Sequence, residues 1–269
     1  MPAIDLARLR KQANRLADFF FLPEDFLKYL RETLDFYVNY TLRKKENIAP
    51  GSNLPTYRTP FVVMRQIENA IGSIAAENPH YALELADLLW DEGYIETRLL
   101  AAFLLGRIPP QEERLLARLT AWSQQVRDPS VRGALLTTSL ARMRKETPDE
   151  FLVLVGEWLH PARQRFWPNG IQALLPMITD PEFDNPPPVF ELVRPVIEAA
   201  PGVIQNDLGD LINALYQDSP AETVYYLREL LENNSNPLTA TTLRRILSVF
   251  PPELQASLKD LVRQKRSTS

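Results

Sequence analysis

One arrangement recurs three times along this 269-residue chain: an apolar stretch ending near a tryptophan, a polar turn, and a second apolar stretch. The tryptophans are Trp90, Trp122 and Trp158, at spacings of 32 and 36 residues. Two later segments repeat the pattern with an aliphatic residue in the tryptophan position. A period of about 32 to 40 residues with two helices in each unit is typical of α-solenoids.

The apolar residues follow helical spacing nearly throughout, for example at Leu99, Ala102, Phe103 and Gly106, and no segment alternates convincingly as a β-strand does. Prolines or small polar clusters end the helical stretches, and the chain has 23 prolines against 9 glycines. Because one helical hairpin cannot bury its own apolar face, each hairpin must stack on a neighbour. We therefore predict an all-α, C-shaped, HEAT-like superhelix (solenoid) of stacked helical hairpins.

We predict a single domain over residues 1–269. Its first part, 1–58, is an aromatic-rich and atypical helical cap, and 59–262 form about five to six hairpins. A basic tail over 263–269 follows. The longest loop is expected over 44–60.

The composition excludes several kinds of site. Cysteine is absent, which excludes disulfides, thiolate metal sites and a cysteine nucleophile. With only His80 and His160, a three-histidine metal site is excluded as well, and we expect neither a metal nor a cofactor. No run of 18 uncharged apolar residues exists, so no membrane partner is expected. The charged, amphipathic N-terminus differs from a signal peptide, which leads us to expect a cytoplasmic protein.

The charge balance argues against a strongly basic DNA-binding protein, since the formal net charge is −4. Two segments are mildly basic: 1–70 carry 11 basic and 8 acidic groups, and 111–170 carry 9 and 7. Together these two segments can still present one positive surface.

The most unusual turn is HPARQRFWPNG, residues 160–170, which combines two arginines with two aromatic residues. Arg163 and Arg165 can grip a phosphate or a carboxylate through paired hydrogen bonds. Stacking of Arg165 on Phe166 or Trp167 is the competing structural use. We regard this turn as the best single candidate for a binding site.

The repeated tryptophans allow two interpretations. A residue type that recurs at the repeat period is typical of packing, whereas partly exposed rings of Trp122 and Trp158 would be stacking platforms for a base. Trp90 likewise either packs between hairpins or lines a binding site. Glu96 and Arg98 would line that site with it, or else only begin a helix. Glu96 and Arg98 are two residues apart and do not face each other on one helix.

The run TPFVVMRQIENAIGSIAAENPHYALELADLLWDEGYIETRLLAAFLLGRI resembles the HEAT-like repeat DNA alkylation-repair glycosylases. The matching elements are a threonine-proline start followed by Arg65, a helix ending in Leu89-Trp90, and Glu96 and Arg98 at the start of an apolar helix. The likeness covers roughly residues 59–180. It implies a concave surface that holds duplex DNA, and excision of positively charged alkylated bases without flipping them into a pocket.

The family's working residues include a tryptophan followed four residues later by an aspartate, which stabilises positive charge on the sugar. Trp122 is instead followed four residues later by Val126, and Asp128 comes six residues on. Residues 131–141 read VRGALLTTSLA, with neither carboxylate nor aromatic ring. No catalytic aspartate can be assigned on this basis.

Two functions follow. The chain is either a helical-repeat binding protein that lacks the tryptophan–aspartate pair, or an alkylation-repair glycosylase or alkylated-DNA-binding protein. The expected partner is accordingly another protein or duplex DNA. A positive groove holding Arg132, Arg163 and Arg165 would favour DNA.

Overall fold

The computed structural model of the chain describes residues 4–38, 48–49, 51–199 and 204–233, with shorter stretches between 239 and 259. Thirteen α-helices and one 3₁₀ helix lie between Leu6 and Asn233, further helical residues follow in the stretches between 239 and 259, and none of the described residues forms a β-strand. The all-α prediction is therefore confirmed. The predicted tail, 263–269, lies outside the described residues.

Two compact units divide the chain, Met1–Pro148 and Asp149–Ser269. The prediction of a single domain over 1–269 stays a prediction. The helices of the first unit are α1 Leu6–Asp18, α2 Pro23–Phe36, α3 Phe61–Glu77, α4 Pro79–Asp91, α5 Ile95–Leu105, α6 Glu113–Gln125, α7 Pro129–Thr137 and α8 Ala141–Glu146.

Successive helices of the first unit alternate between two layers. The first layer runs α1, α3, α5 and α7, each in contact with the next, while α2 packs on α4 in the second. Helix α5 lies at the centre and is buried nearly all round, including Leu100, Leu104 and Leu105. A helix that is apolar on all sides belongs in a core, so α5 holds the two layers together.

At the junction between α7 and α8, the residues Leu136, Ser139, Leu140 and Met143 keep helical spacing although the helix is interrupted. The structure ends α7 at Thr137 and begins α8 at Ala141. At the break, the buried Ser139 hydroxyl donates a hydrogen bond to the Ala102 carbonyl (2.8 Å). The close approach of this junction to α5 therefore overrides the local helical periodicity.

The second unit contains α9 Pro148–Leu159, the 3₁₀ helix Pro161–Phe166, α10 Trp167–Ile178, α11 Pro187–Ala199, α12 Gln205–Asp218 and α13 Pro220–Asn233. Helix α10 packs against α11 and α12, and α12 packs against α13. The side chains buried between them are mainly aliphatic, such as Ile171, Leu174, Leu211 and Leu215.

Prolines mark where helices begin as well as where the preceding ones end. Pro148, Pro187 and Pro220 are each the first residue of a helix. That position needs no amide hydrogen, and proline's fixed φ is already helical there. Pro23 likewise begins α2, with Glu24 and Asp25 in the first turn.

Candidate functional site

One carboxylate at the start of α5 holds the loop 52–60 against this helix. Glu96 is fully buried and accepts three hydrogen bonds: from the Thr56 hydroxyl (2.7 Å) and from the backbone amides of Tyr57 (3.1 Å) and Thr59 (3.3 Å). Between the last two, Arg58 has a φ of 53°, a conformation that non-glycine residues seldom adopt. The bonds on both sides of Arg58 hold the loop in that conformation.

A second carboxylate ties the same loop to α7. Asp128 caps this helix, because one of its oxygens accepts from the amides of Ser130 (3.0 Å) and Val131 (3.1 Å). Its other oxygen accepts from the Ser52 hydroxyl (2.8 Å) and the Asn53 amide (3.0 Å). Glu96 and Asp128 are therefore engaged in bonds within the protein.

The tryptophans of the first unit pack on each other. The rings of Trp90 and Trp122 stack with centroids 4.2 Å apart and planes only 4° apart, and both are more than nine-tenths buried. The Arg98 guanidinium lies 5.0 Å from the Trp90 ring centroid, and its Nε donates to the Trp90 carbonyl (3.3 Å). This burial supports the packing interpretation of Trp122 and a structural role for Arg98.

In the second unit, Trp158 and Trp167 are buried as well, at 3% and 0% exposure. The Trp167 indole N–H donates to the His160 carbonyl (3.2 Å), which fixes the 3₁₀ helix against the start of α10. Neither ring is exposed as a stacking platform in this structure. Trp167 instead holds the turn that lies between the two rings.

That turn carries two exposed arginines. Arg163 pairs with Glu157 at 3.0 Å, but both side chains are about half exposed, so the pair contributes little stability. Arg165 lies over the Phe166 ring, 4.5 Å from its centroid. The predicted stacking of Arg165 therefore occurs on Phe166. Both guanidinium groups remain at the surface.

The remaining sequence candidate, Arg132, lies in the first unit on α7. Its side chain is partly buried, and its Nε is buried without a hydrogen-bond partner among the described residues. An unpaired buried donor is unfavourable. Because this Nε is closed to solvent, its lack of a partner does not by itself mark a ligand contact.

Sequence reasoning missed Glu68, on α3. Burial raises the pKa of its carboxyl, although the nearby Arg65 and Arg107 oppose the shift. Arg107 also lies over Phe103, 4.9 Å from the ring centroid. No local sequence signal marks Glu68, since one of the two arginines that act on its pKa, Arg107, lies 39 residues away.

The pKa of Glu68 leads to a stability prediction. The folded chain holds the Glu68 proton more tightly than the unfolded chain does. Protonated Glu68 therefore adds to the free energy of unfolding at pH values below its unfolded pKa, and this stabilisation is lost as the pH rises through its folded pKa. Glu68→Gln is therefore expected to raise the free energy of unfolding more at pH 7 than at pH 4. Urea unfolding at both values measures this, with the exposed Glu77→Gln on the same helix as the control. An equal effect of Glu68→Gln at the two pH values would contradict the prediction.

Within the described part of the chain, no three His, Asp or Glu side chains are grouped so as to hold a metal ion. The helices described are also all too short or too polar to cross a membrane.

The family model described as DNA alkylation repair enzyme matches residues 58–248. The chain belongs to this family. The match confirms the resemblance found over residues 59–180 and extends it through α11, α12 and α13. Among curated proteins and among solved structures, none matches the chain.

The working residues of the related glycosylases include an aspartate four residues after a tryptophan, and this chain has none at that spacing. The residues four positions after the four tryptophans are Tyr94, Val126, Ala162 and Ile171. No tryptophan in the sequence therefore has a carboxylate at that spacing.

Proposed function

We propose that this member of the DNA alkylation repair family binds duplex DNA without excising a base. The observation that carries the proposal is the engagement of Glu96 and Asp128, two of the carboxylates near the repeat turns, in the protein's own hydrogen bonds. A carboxylate that stabilises positive charge on a sugar must face the ligand. These two face the loop 52–60.

The binding half of the proposal rests on the two exposed arginines of the turn at 160–170, of which Arg163 pairs with the similarly exposed Glu157. Residues 160–170 contain Arg163 and Arg165 and no acidic residue, and both guanidinium groups are exposed. Each has donors that suit two phosphate oxygens at once. Phosphate contacts supply most of the affinity of sequence-independent DNA binding.

The proposal predicts how two substitutions change affinity. Arg163→Gln and Arg165→Gln are each expected to weaken binding to a 21-base-pair duplex by about threefold to tenfold, because each removes one phosphate contact. Each is also expected to reduce the slope of log K against log salt by about 1. Fluorescence anisotropy over a salt series measures both quantities.

The matched control is Arg10→Gln, which removes an exposed arginine from α1. It is expected to change duplex affinity by less than about twofold, since it lies outside the candidate site. Equal losses in all three variants would indicate attraction by overall charge and would contradict a role for the turn. Unchanged duplex affinity in both Arg163→Gln and Arg165→Gln would also contradict a role for the turn.

The alternative function, excision of alkylated bases, is an outcome of a separate assay. Release of a methylated purine faster than in protein-free buffer would establish it and overturn the non-excising proposal. Family membership is the observation that favours this alternative.

A further inference from the structure

A groove lies between α11 and α13 in the second unit, away from the turn at 160–170 in sequence. Its cavity measures about 430 Å³. Along α11 it extends from Pro187 to Arg194, about 10 Å at the helical rise. A space of this size admits one or two side chains of a peptide.

Aromatic rings form the floor of the groove. Phe190 and Tyr226 stack with centroids 4.5 Å apart and planes 19° apart, and the Tyr226 hydroxyl donates to the Phe190 carbonyl (3.0 Å). Both rings are fixed by this contact. The neighbouring Tyr225 lies at the edge of the groove and is 71% exposed. A large aromatic ring so exposed beside a cavity is available to a ligand.

The rim of the groove is acidic. Glu191, Glu222 and Glu229 line it with a single cation, Arg194, so three negative charges meet one positive charge. Arg194 lies 3.3 Å from Glu191 and 3.3 Å from Glu229, and its guanidinium is 5.4 Å from the Tyr226 ring centroid. The groove thus already holds one guanidinium between two carboxylates and an aromatic face.

We propose that this groove binds a basic segment of a protein partner, with an arginine of the partner beside Tyr225 and the rim carboxylates. An incoming guanidinium would form the same two kinds of interaction that Arg194 forms: an ion pair with a carboxylate and a contact with the face of an aromatic ring. Arg194 pairs with Glu191 and Glu229 and, among the described residues, forms no ion pair with Glu222, so Glu222 provides the third carboxylate of the rim. The negative rim repels phosphate, so this surface is distinct in its chemistry from the DNA contact proposed above.

The probe is a fluorescein-labelled eight-residue peptide that alternates arginine and leucine. We expect it to bind the full-length chain, and a matched peptide with glutamine in place of arginine to bind at least tenfold more weakly. Glu222→Gln is expected to weaken binding of the arginine peptide threefold to tenfold. Arg194→Met is expected to tighten it, because two carboxylates lose their internal partner while the apolar stem over Tyr226 is kept.

Glu150→Gln, at an exposed position in the first turn of α9, removes the same charge elsewhere in the second unit. It is expected to change affinity less than twofold. Equal weakening by Glu150→Gln and Glu222→Gln would show attraction by net charge and overturn the proposal. Weaker binding by Arg194→Met, or no difference between the arginine and glutamine peptides, would also overturn it. These results are independent of duplex binding, which is measured without the peptide.

Discussion

Glu96→Ala is expected to lower the free energy of unfolding by about 3–5 kcal/mol, since its fully buried carboxylate accepts three hydrogen bonds and a bond to a charged group contributes about 1.5–3 kcal/mol. Three donors lose their acceptor at once: the Thr56 hydroxyl and the amides of Tyr57 and Thr59. The loop must then either remain with these groups unsatisfied or detach from α5. Urea unfolding followed by circular dichroism measures the loss.

The matched control for this substitution is Glu113→Ala. Glu113 also lies in the first turn of its helix, α6, but it is exposed. Its loss removes only a favourable interaction with the helix dipole, about 0.3–1 kcal/mol. If the two substitutions lower the free energy of unfolding equally, Glu96 acts as an ordinary helix-start residue. The hydrogen bonds from the loop 52–60 to Glu96 would then not stabilise the fold as described.

Gly106→Ala is expected to cost about 3 kcal/mol, the upper part of the usual range for overpacking a tight interface. A Cβ at this position would lie 2.2 Å from the Thr138 carbonyl oxygen, 3.1 Å from its carbon and 3.3 Å from the Ser139 Cα. All three are backbone atoms, which cannot move away as a flexible side chain can. The junction of α7 and α8 would therefore have to separate from the end of α5.

Gly209→Ala provides the opposite expectation within the same chain. Gly209 lies inside α12, and a Cβ there would meet nothing within 4 Å. Alanine should therefore stabilise the chain by about 0.5–1 kcal/mol through its higher helix propensity. Thermal unfolding of both glycine variants tests the pair. Similar changes in both would contradict the close approach at Gly106.

Local signals in the sequence predicted much of the fold. The apolar periodicity correctly indicated helices at α3, α4 and α5, because each has a continuous buried face. The loop was also expected in the right place, since the described residues 48–49 and 51–60 contain no helix. The family resemblance rested on this same region and is confirmed.

Contacts between distant residues were beyond the sequence. Glu96 bonds to groups 37 to 40 residues earlier, and Asp128 to groups 75 and 76 residues earlier, with no local pattern to reveal either. The repeat placed Trp90 and Trp122 at equivalent positions. It did not predict that their rings stack on each other. The binding roles of Arg132, Arg163 and Arg165 stay predictions.

Base release from a duplex containing one 7-methylguanine tests binding without excision most directly. The protein is in excess, and anisotropy of the same sample establishes that the duplex is bound. We predict salt-dependent binding and a rate of 7-methylguanine release equal to that of the protein-free duplex. Release that is faster when the duplex is bound, or no binding of the duplex at low salt, would contradict the proposal.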